Sequence, residues 1–164
     1  MNLATKFLLT LFCTIISLSI VACGEVQEED DTKDSHQPAT ADVTDVSAKA
    51  STSGFTFSVT ISSPDIGCDQ YADWWEVVDQ EGKLLYRRIL AHSHVDEQPF
   101  TRSGGAVTIA ENEEVWIRAH MNTGGYGGKT YFGSPATGFT EKSTPDDFAP
   151  ELEDEAPQPG DCAF

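Results

Sequence analysis

The sequence predicts an all-β domain, an antiparallel sandwich of about seven short strands. Three observations carry that expectation. Between residues 54 and 142 apolar side chains recur with a period of two rather than 3.6. Turn-forming segments separate the apolar runs, as between the strands of a sandwich. Signals for helix starts and stops are nearly absent from this block.

Each strand has its own justification. Phe55, Phe57, Val59 and Ile61 alternate with Thr56, Ser58, Thr60 and Ser62, which puts apolar groups on one face and hydroxyls on the other. Residues 72–79 form a second strand carrying Trp74, Trp75, Val77 and Val78. Residues 83–90 form a third, joined to it through Asp79-Gln80-Glu81-Gly82, where Gly82 suits the left-handed position of a hairpin loop. Residues 106–110 and 115–121 are expected to pair across Glu111-Asn112-Glu113-Glu114. Residues 129–133 and 138–140 are shorter strands.

The flanks have a different composition. Lys6 is followed by a sixteen-residue uncharged run over positions 7–22. A membrane span needs about 20 residues, so the run reads as an export signal. It ends Ile20-Val21-Ala22-Cys23-Gly24, which resembles the lipobox of bacterial lipoproteins. The resemblance implies cleavage after residue 22 and a diacylglyceryl thioether on Cys23, with a further acyl chain such as palmitate on its amine. Several chains anchor a protein stably where one does not. It also implies a domain facing the periplasm or the cell exterior. Gly24 in place of Asp resembles outer-membrane sorting in Gram-negative cells.

Residues 23–53 are expected to be a lipidated, disordered tether: eight acids, two lysines and no aromatic residue. Residues 54–142 are the sandwich. Residues 143–164 hold seven acids, no base and four prolines, which disfavours both helix and central strand. They are read as an acidic strap. The chain has 10 Lys and Arg against 27 Asp and Glu, a net charge of −17. Such a surface repels a phosphate backbone, so no nucleic-acid partner is expected. Fifteen of the acids lie in the two flanks, so the charge says little about a ligand. With Cys13 in the export signal and Cys23 acylated, Cys68 and Cys162 remain. In an exported protein they would pair and tie the strap back to the body.

Two constellations could carry function. His92 and His94 share one face of an extended segment, and with His120 and Glu97 they could bind zinc or copper; no other cofactor is expected. The second is an exposed contact patch of Tyr71, one of the adjacent Trp74 and Trp75, Arg102 and Tyr126, suited to an envelope protein or a glycan. Trp74 and Trp75 must face opposite ways on a strand, so one of them belongs to the core. No Gly-x-Ser-x-Gly elbow and no phosphate loop is present. The reading is therefore a lipid-anchored binding or interaction protein rather than an enzyme, with a three-histidine metalloprotein as the alternative.

The segment from Gln70 to Val77, Gln-Tyr-Ala-Asp-Trp-Trp-Glu-Val, resembles the His-Tyr-x-Glu-Trp-x-Glu strand of superoxide reductases, and Met121-Asn122-Thr123-Gly124 falls where that family has Cys-Asn-x-His. The resemblance implies an Ig-like sandwich. Gln70, Met121 and Gly124 stand where iron ligands would be, so it does not imply the iron centre. Residues 67–76 and 89–95 are similar to segments of uncharacterised bacterial lipoproteins, to which no activity is attached.

Overall fold

The computed structural model describes residues 38–163. The export signal, Cys23, His36 and the first part of the expected tether, residues 23–37, lie outside the described residues. Eight strands are present: β1 (Asp42–Ser51), β2 (Gly54–Ser62), β3 (Ala72–Val78), β4 (Leu84–Ile89), β5 (Phe100–Val107), β6 (Val115–Met121), β7 (Tyr131–Ser134) and β8 (Gly138–Glu141). They form two antiparallel sheets, ordered β1-β2-β5 and β4-β3-β6-β7-β8. The β-sandwich expectation holds.

Two expectations about its elements are corrected. The tether was placed over residues 23–53, yet residues 42–51 form β1 and pair along the whole of β2. The domain therefore begins about a dozen residues before position 54. A register shift between Val43 and Asp45 explains why the strand was not legible. Val43, Val46 and Ala48 all pack inward, but the extra residue breaks the period of two. The second correction concerns residues 106–121. The strand expected at 106–110 is the tail of β5, which starts at Phe100 and pairs with β2, not β6. Phe100 and Val107 anchor its two ends in the core. Gly104 and Gly105 lie between them, where only a bare backbone passes Tyr86 and Phe55 closely.

The core lies between the sheets. Phe57, Val59 and Ile61 of β2 and Phe100 and Val107 of β5 face Trp75 and Val77 of β3 and Ile117, Ala119 and Met121 of β6. Burying such side chains contributes roughly 1.5–3 kcal/mol each. β1 lies against β8 and β4 against β5, so the sheets also approach along both edges.

The two central strands of the larger sheet depart from the half-buried pattern. Every residue of β3 and of β6 is buried. The second face of this sheet is covered by residues 148–157, which include one turn of 3-10 helix, Pro150–Asp154. Leu152 of that turn, with Phe148 and Ala149, packs on Val78, Trp116, Leu84 and Phe132. The Cys68–Cys162 disulfide is present, with a Cα–Cα distance of 5.7 Å. The Ala163 N–H donates to the Ala91 carbonyl at 2.7 Å. The far end of the strap is thus fixed to the body.

Candidate functional site

Alternation along β3 and β6 sets what the strap covers. Inward residues alternate with Trp74, Glu76 and Val78 on β3 and with Trp116, Arg118 and His120 on β6. Their registers place Glu76 between Arg87 of β4 and Arg118 of β6. Glu76 is fully buried. Its Oε2 accepts from Arg87 Nε at 2.9 Å and Nη2 at 2.7 Å, and its Oε1 from Arg118 Nε at 2.8 Å. The remaining guanidinium donors turn to strap carbonyls. Arg118 donates to Phe148 O at 2.7 Å and Ala149 O at 2.8 Å. Arg87 donates to Leu152 O, Glu155 O and, at 3.1 Å, Pro157 O. One carboxylate therefore orients two arginines, and the arginines hold the strap through its backbone.

A stack of rings continues the row. Trp74 lies flat on His120, with centroids 3.6 Å apart. The Arg87 guanidinium sits 4.5 Å from the Trp74 ring and that of Arg118 3.6 Å from the Tyr126 ring. Burial raises the Tyr126 hydroxyl pKa above its ordinary value, helped by the Glu76 carboxylate. His120 Nδ1 meets Asp73 Oδ1 at 2.7 Å and its Nε2 meets Glu153 Oε1 of the strap at 3.2 Å. Both ring nitrogens are engaged.

Beside this stack, where the chain leaves β8 for the strap, opens a cleft of about 510 Å³. Arg118 and Tyr126 form part of its wall. Lys129 and Glu141 pair across it at 3.1 Å, which raises the Lys129 pKa. Asp42 Oδ1 accepts the Lys129 backbone N–H at 2.8 Å. Thr40, Thr130, Ser143 and Thr144 add hydroxyls. The glycine run 124–128 lets the entering chain close one side. A Cβ at Gly124 or Gly128 would collide with the Ala39 or Ala41 carbonyl oxygen. Lys142 also lines the cleft. Its Nζ lies 4.0 Å from the Phe132 ring and 5.2 Å from the Trp116 ring, with no carboxylate partner among the described residues.

The expected contact patch is not assembled. Tyr71, Trp74 and Trp75 are 4%, 2% and 0% exposed; Trp75 enters the core, and Trp74 is enclosed by His120, Arg87 and Tyr126. The Tyr71 hydroxyl pKa is raised by burial and by nearby Asp73 and Asp65. Arg102 donates instead to Glu97 Oε2 at 2.7 Å, which lowers the Glu97 pKa. Of the five residues only Tyr126 lines the cleft. Its lysines were missed, since neither belongs to a motif and only the fold brings positions 40, 118, 129 and 142 together.

The three-histidine arrangement is not assembled either. His120 lies on the outward face of β6, held by Asp73 and Glu153, while His92 and His94 sit on the loop between β4 and β5. Among the described residues no three His, Cys, Asp or Glu side chains are gathered around a point that could hold a metal ion. His92 and His94 do stay together, with ring centroids 4.6 Å apart. Burial holds the His94 pKa down at about 4, with the Arg102 charge acting in the same direction.

No protein-family model matches the chain, and no solved structure matches it. A curated protein of Halomicrobium mukohataei named "Putative lipoprotein" is 38% identical over 106 residues, which are 65% of this chain and 50% of that protein. The chain spans about half the length of that curated relative. No helix among the described residues is long and apolar enough to cross a membrane.

Proposed function

We propose that this protein is a lipid-anchored binding protein of the cell envelope, and that it takes a carboxylated saccharide in the cleft walled by Arg118, Tyr126, Lys129 and Lys142. The name of the relative and the Ile20-Val21-Ala22-Cys23 run support the anchor. The lining of the cleft carries the ligand reading. It combines hydroxyls, a backbone-rich glycine wall, an aromatic edge and a cation, Lys142, that stands over the Phe132 and Trp116 rings. Polyhydroxylated ligands need donors and acceptors in mixture, and a carboxylate on the ligand would complete Lys142. The neighbouring Lys129 faces Glu141 at 3.1 Å, whereas Lys142 has no carboxylate partner among the described residues and is the cation offered to the ligand.

Two experiments test this reading. Cys23→Ser should move the protein from the membrane fraction to the soluble fraction and abolish incorporation of a labelled fatty acid. Titration calorimetry with a uronic-acid oligosaccharide should show binding that Lys142→Ala weakens by about tenfold or more, the scale of one lost charge-assisted contact. A neutral oligosaccharide of equal length should bind more weakly. Equal binding of both oligosaccharides, or none of either, would overturn the ligand assignment.

A further inference from the structure

A buried serine closes the end of β2. Ser63 follows the last residue of that strand and is 7% exposed. Its Oγ donates to Asp65 Oδ1 at 2.7 Å, and Asp65 is buried as well. The side-chain amide of Gln98, two residues before β5, lies against the same serine with both of its heteroatoms. Gln98 Oε1 accepts the Ser63 backbone N–H at 2.9 Å, and Nε2 donates to Ser63 Oγ at 3.2 Å. Nε2 also donates to the His94 carbonyl at 3.2 Å. A donor on one side and an acceptor on the other fix which end of the amide is oxygen.

A hydroxyl, a carboxylate and a carboxamide thus meet where β2 and β5 pair through Ile61 and Phe100. Asp65 is held in place by its other bonds. Its Oδ1 also accepts the Ala72 N–H at 3.0 Å. Its Oδ2 accepts the His94 N–H at 2.8 Å and the Ser93 hydroxyl at 3.4 Å. These bonds fix the carboxylate against the Ser63 hydroxyl, its nearest donor. A nucleophile, a base and a carbonyl carbon are therefore assembled before any reaction.

We propose that Ser63 and Gln98 form an intramolecular ester cross-link with loss of ammonia. Ser63 Oγ attacks Gln98 Cδ while its proton passes to Asp65. The amide presents its edge to Oγ, and a turn about the terminal Gln98 torsion, which is soft, presents its face. Charge that develops on Oε1 meets the Ser63 N–H. The Cδ–Nε2 bond then breaks, Nε2 takes the proton from Asp65, and ammonia leaves. One hydroxyl and one carboxamide become one ester and one ammonia, with no oxidant, reductant or other co-reactant. Escape of ammonia to solvent draws the exchange forward. Burial of Ser63 shields the ester from the water that would hydrolyse it. The bond joins the loop after β2, which also carries Cys68, to the loop before β5. It is separate from the saccharide cleft, so each proposal stands without the other.

The test is peptide mass spectrometry of the full-length protein after reduction, alkylation and digestion with trypsin. Cleavage after Lys49, Lys83, Arg88 and Arg102 places Ser63 in residues 50–83 and Gln98 in residues 89–102. The two peptides are expected as one species, at their summed mass less one ammonia, which hydroxylamine splits as it splits an ester. Ser63→Ala should return them separately at full mass. Asp65→Asn should lower the cross-linked fraction by about tenfold or more, with the Cys68–Cys162 disulfide of an unreduced sample still formed. The unsubstituted protein decides the question by itself, so the result does not depend on a variant that folds. Separate peptides at full mass from that protein, or a cross-link that persists in Ser63→Ala, would overturn the proposal and leave Ser63, Asp65 and Gln98 as a hydrogen-bonded loop anchor.

Discussion

The two sheets share one core but finish their outer faces in opposite ways. The outer face of β1-β2-β5 is open. Its hydroxyls bond across strands, Ser58 with Ser103 at 2.7 Å and Thr60 with Thr101 at 2.8 Å, and each remains reachable by water. The outer face of the five-stranded sheet is closed by the strap, and its polar residues are buried: Asp73, Glu76, Arg87, Arg118 and His120. A polar residue on a strand thus has two meanings here. On the small sheet it marks the solvent side. On the large one it marks the place where a distant segment docks, because strap carbonyls supply the hydrogen bonds that water would otherwise make.

The largest expected effect comes from breaking the covered face at its centre. Glu76→Ala leaves Arg87 and Arg118 buried without their counter-ion. Removing one partner of a buried ionic group costs about 3–5 kcal/mol, so the urea midpoint should fall sharply. A midpoint shifted no more than by a surface substitution would show that the strap does not depend on the arginines. Reducing the Cys68–Cys162 disulfide frees one end of the strap and is expected to cost roughly 2–4 kcal/mol, with increased hydrogen exchange at Val78 and Trp116 but not at Val59. Uniform exchange across both sheets would contradict the assignment of the disulfide to strap retention.

A smaller effect involves pH. His94 has a pKa of about 4 in the fold, against an ordinary value of 6.5. Between those values the unfolded chain binds the proton and the folded protein does not. The associated stability is therefore fully present above about pH 6.5 and declines as the pH falls toward 4, by about 1–2 kcal/mol after allowance for local relaxation. Stability curves at several pH values should show that decline, and His94→Phe should flatten it. The smallest effect is predicted for the open face. Ser58→Ala and Thr60→Ala should each change stability by no more than about 0.5 kcal/mol. A loss comparable to that of Glu76→Ala would mean that this face is covered after all.

The same contrast decides what could be read from the sequence. β2 was legible residue by residue, because one of its faces is wet and its hydroxyls alternate with Phe57, Val59 and Ile61. β1 was hidden by its bulge and by its acidic neighbours. The Cys68–Cys162 pairing followed from counting thiols. The opposite orientations of Trp74 and Trp75 followed from strand geometry, but not the burial of both, since nothing local announces that His120, Arg87 and Tyr126 enclose Trp74. The His92–His94 proximity was legible from spacing two on an extended chain. The exclusion of His120 was not, because Asp73, at the register shift between Ala72 and Trp74, reaches its ring only once β3 and β6 are paired. The cleft was the least legible feature, being assembled from the start of β1, the glycine loop and the end of β8.

The central claim is that this cleft binds a carboxylated ligand. The most direct measurement is chemical-shift mapping of the full-length protein in detergent micelles during titration with an oligogalacturonate. The account predicts saturable shifts at Tyr126, Gly127, Lys129 and Lys142, with the Ser58 and Thr60 amides unmoved and the response lost in Lys142→Ala. Shifts confined to the open β1-β2-β5 face, or shifts at the cleft that persist in Lys142→Ala, would contradict it.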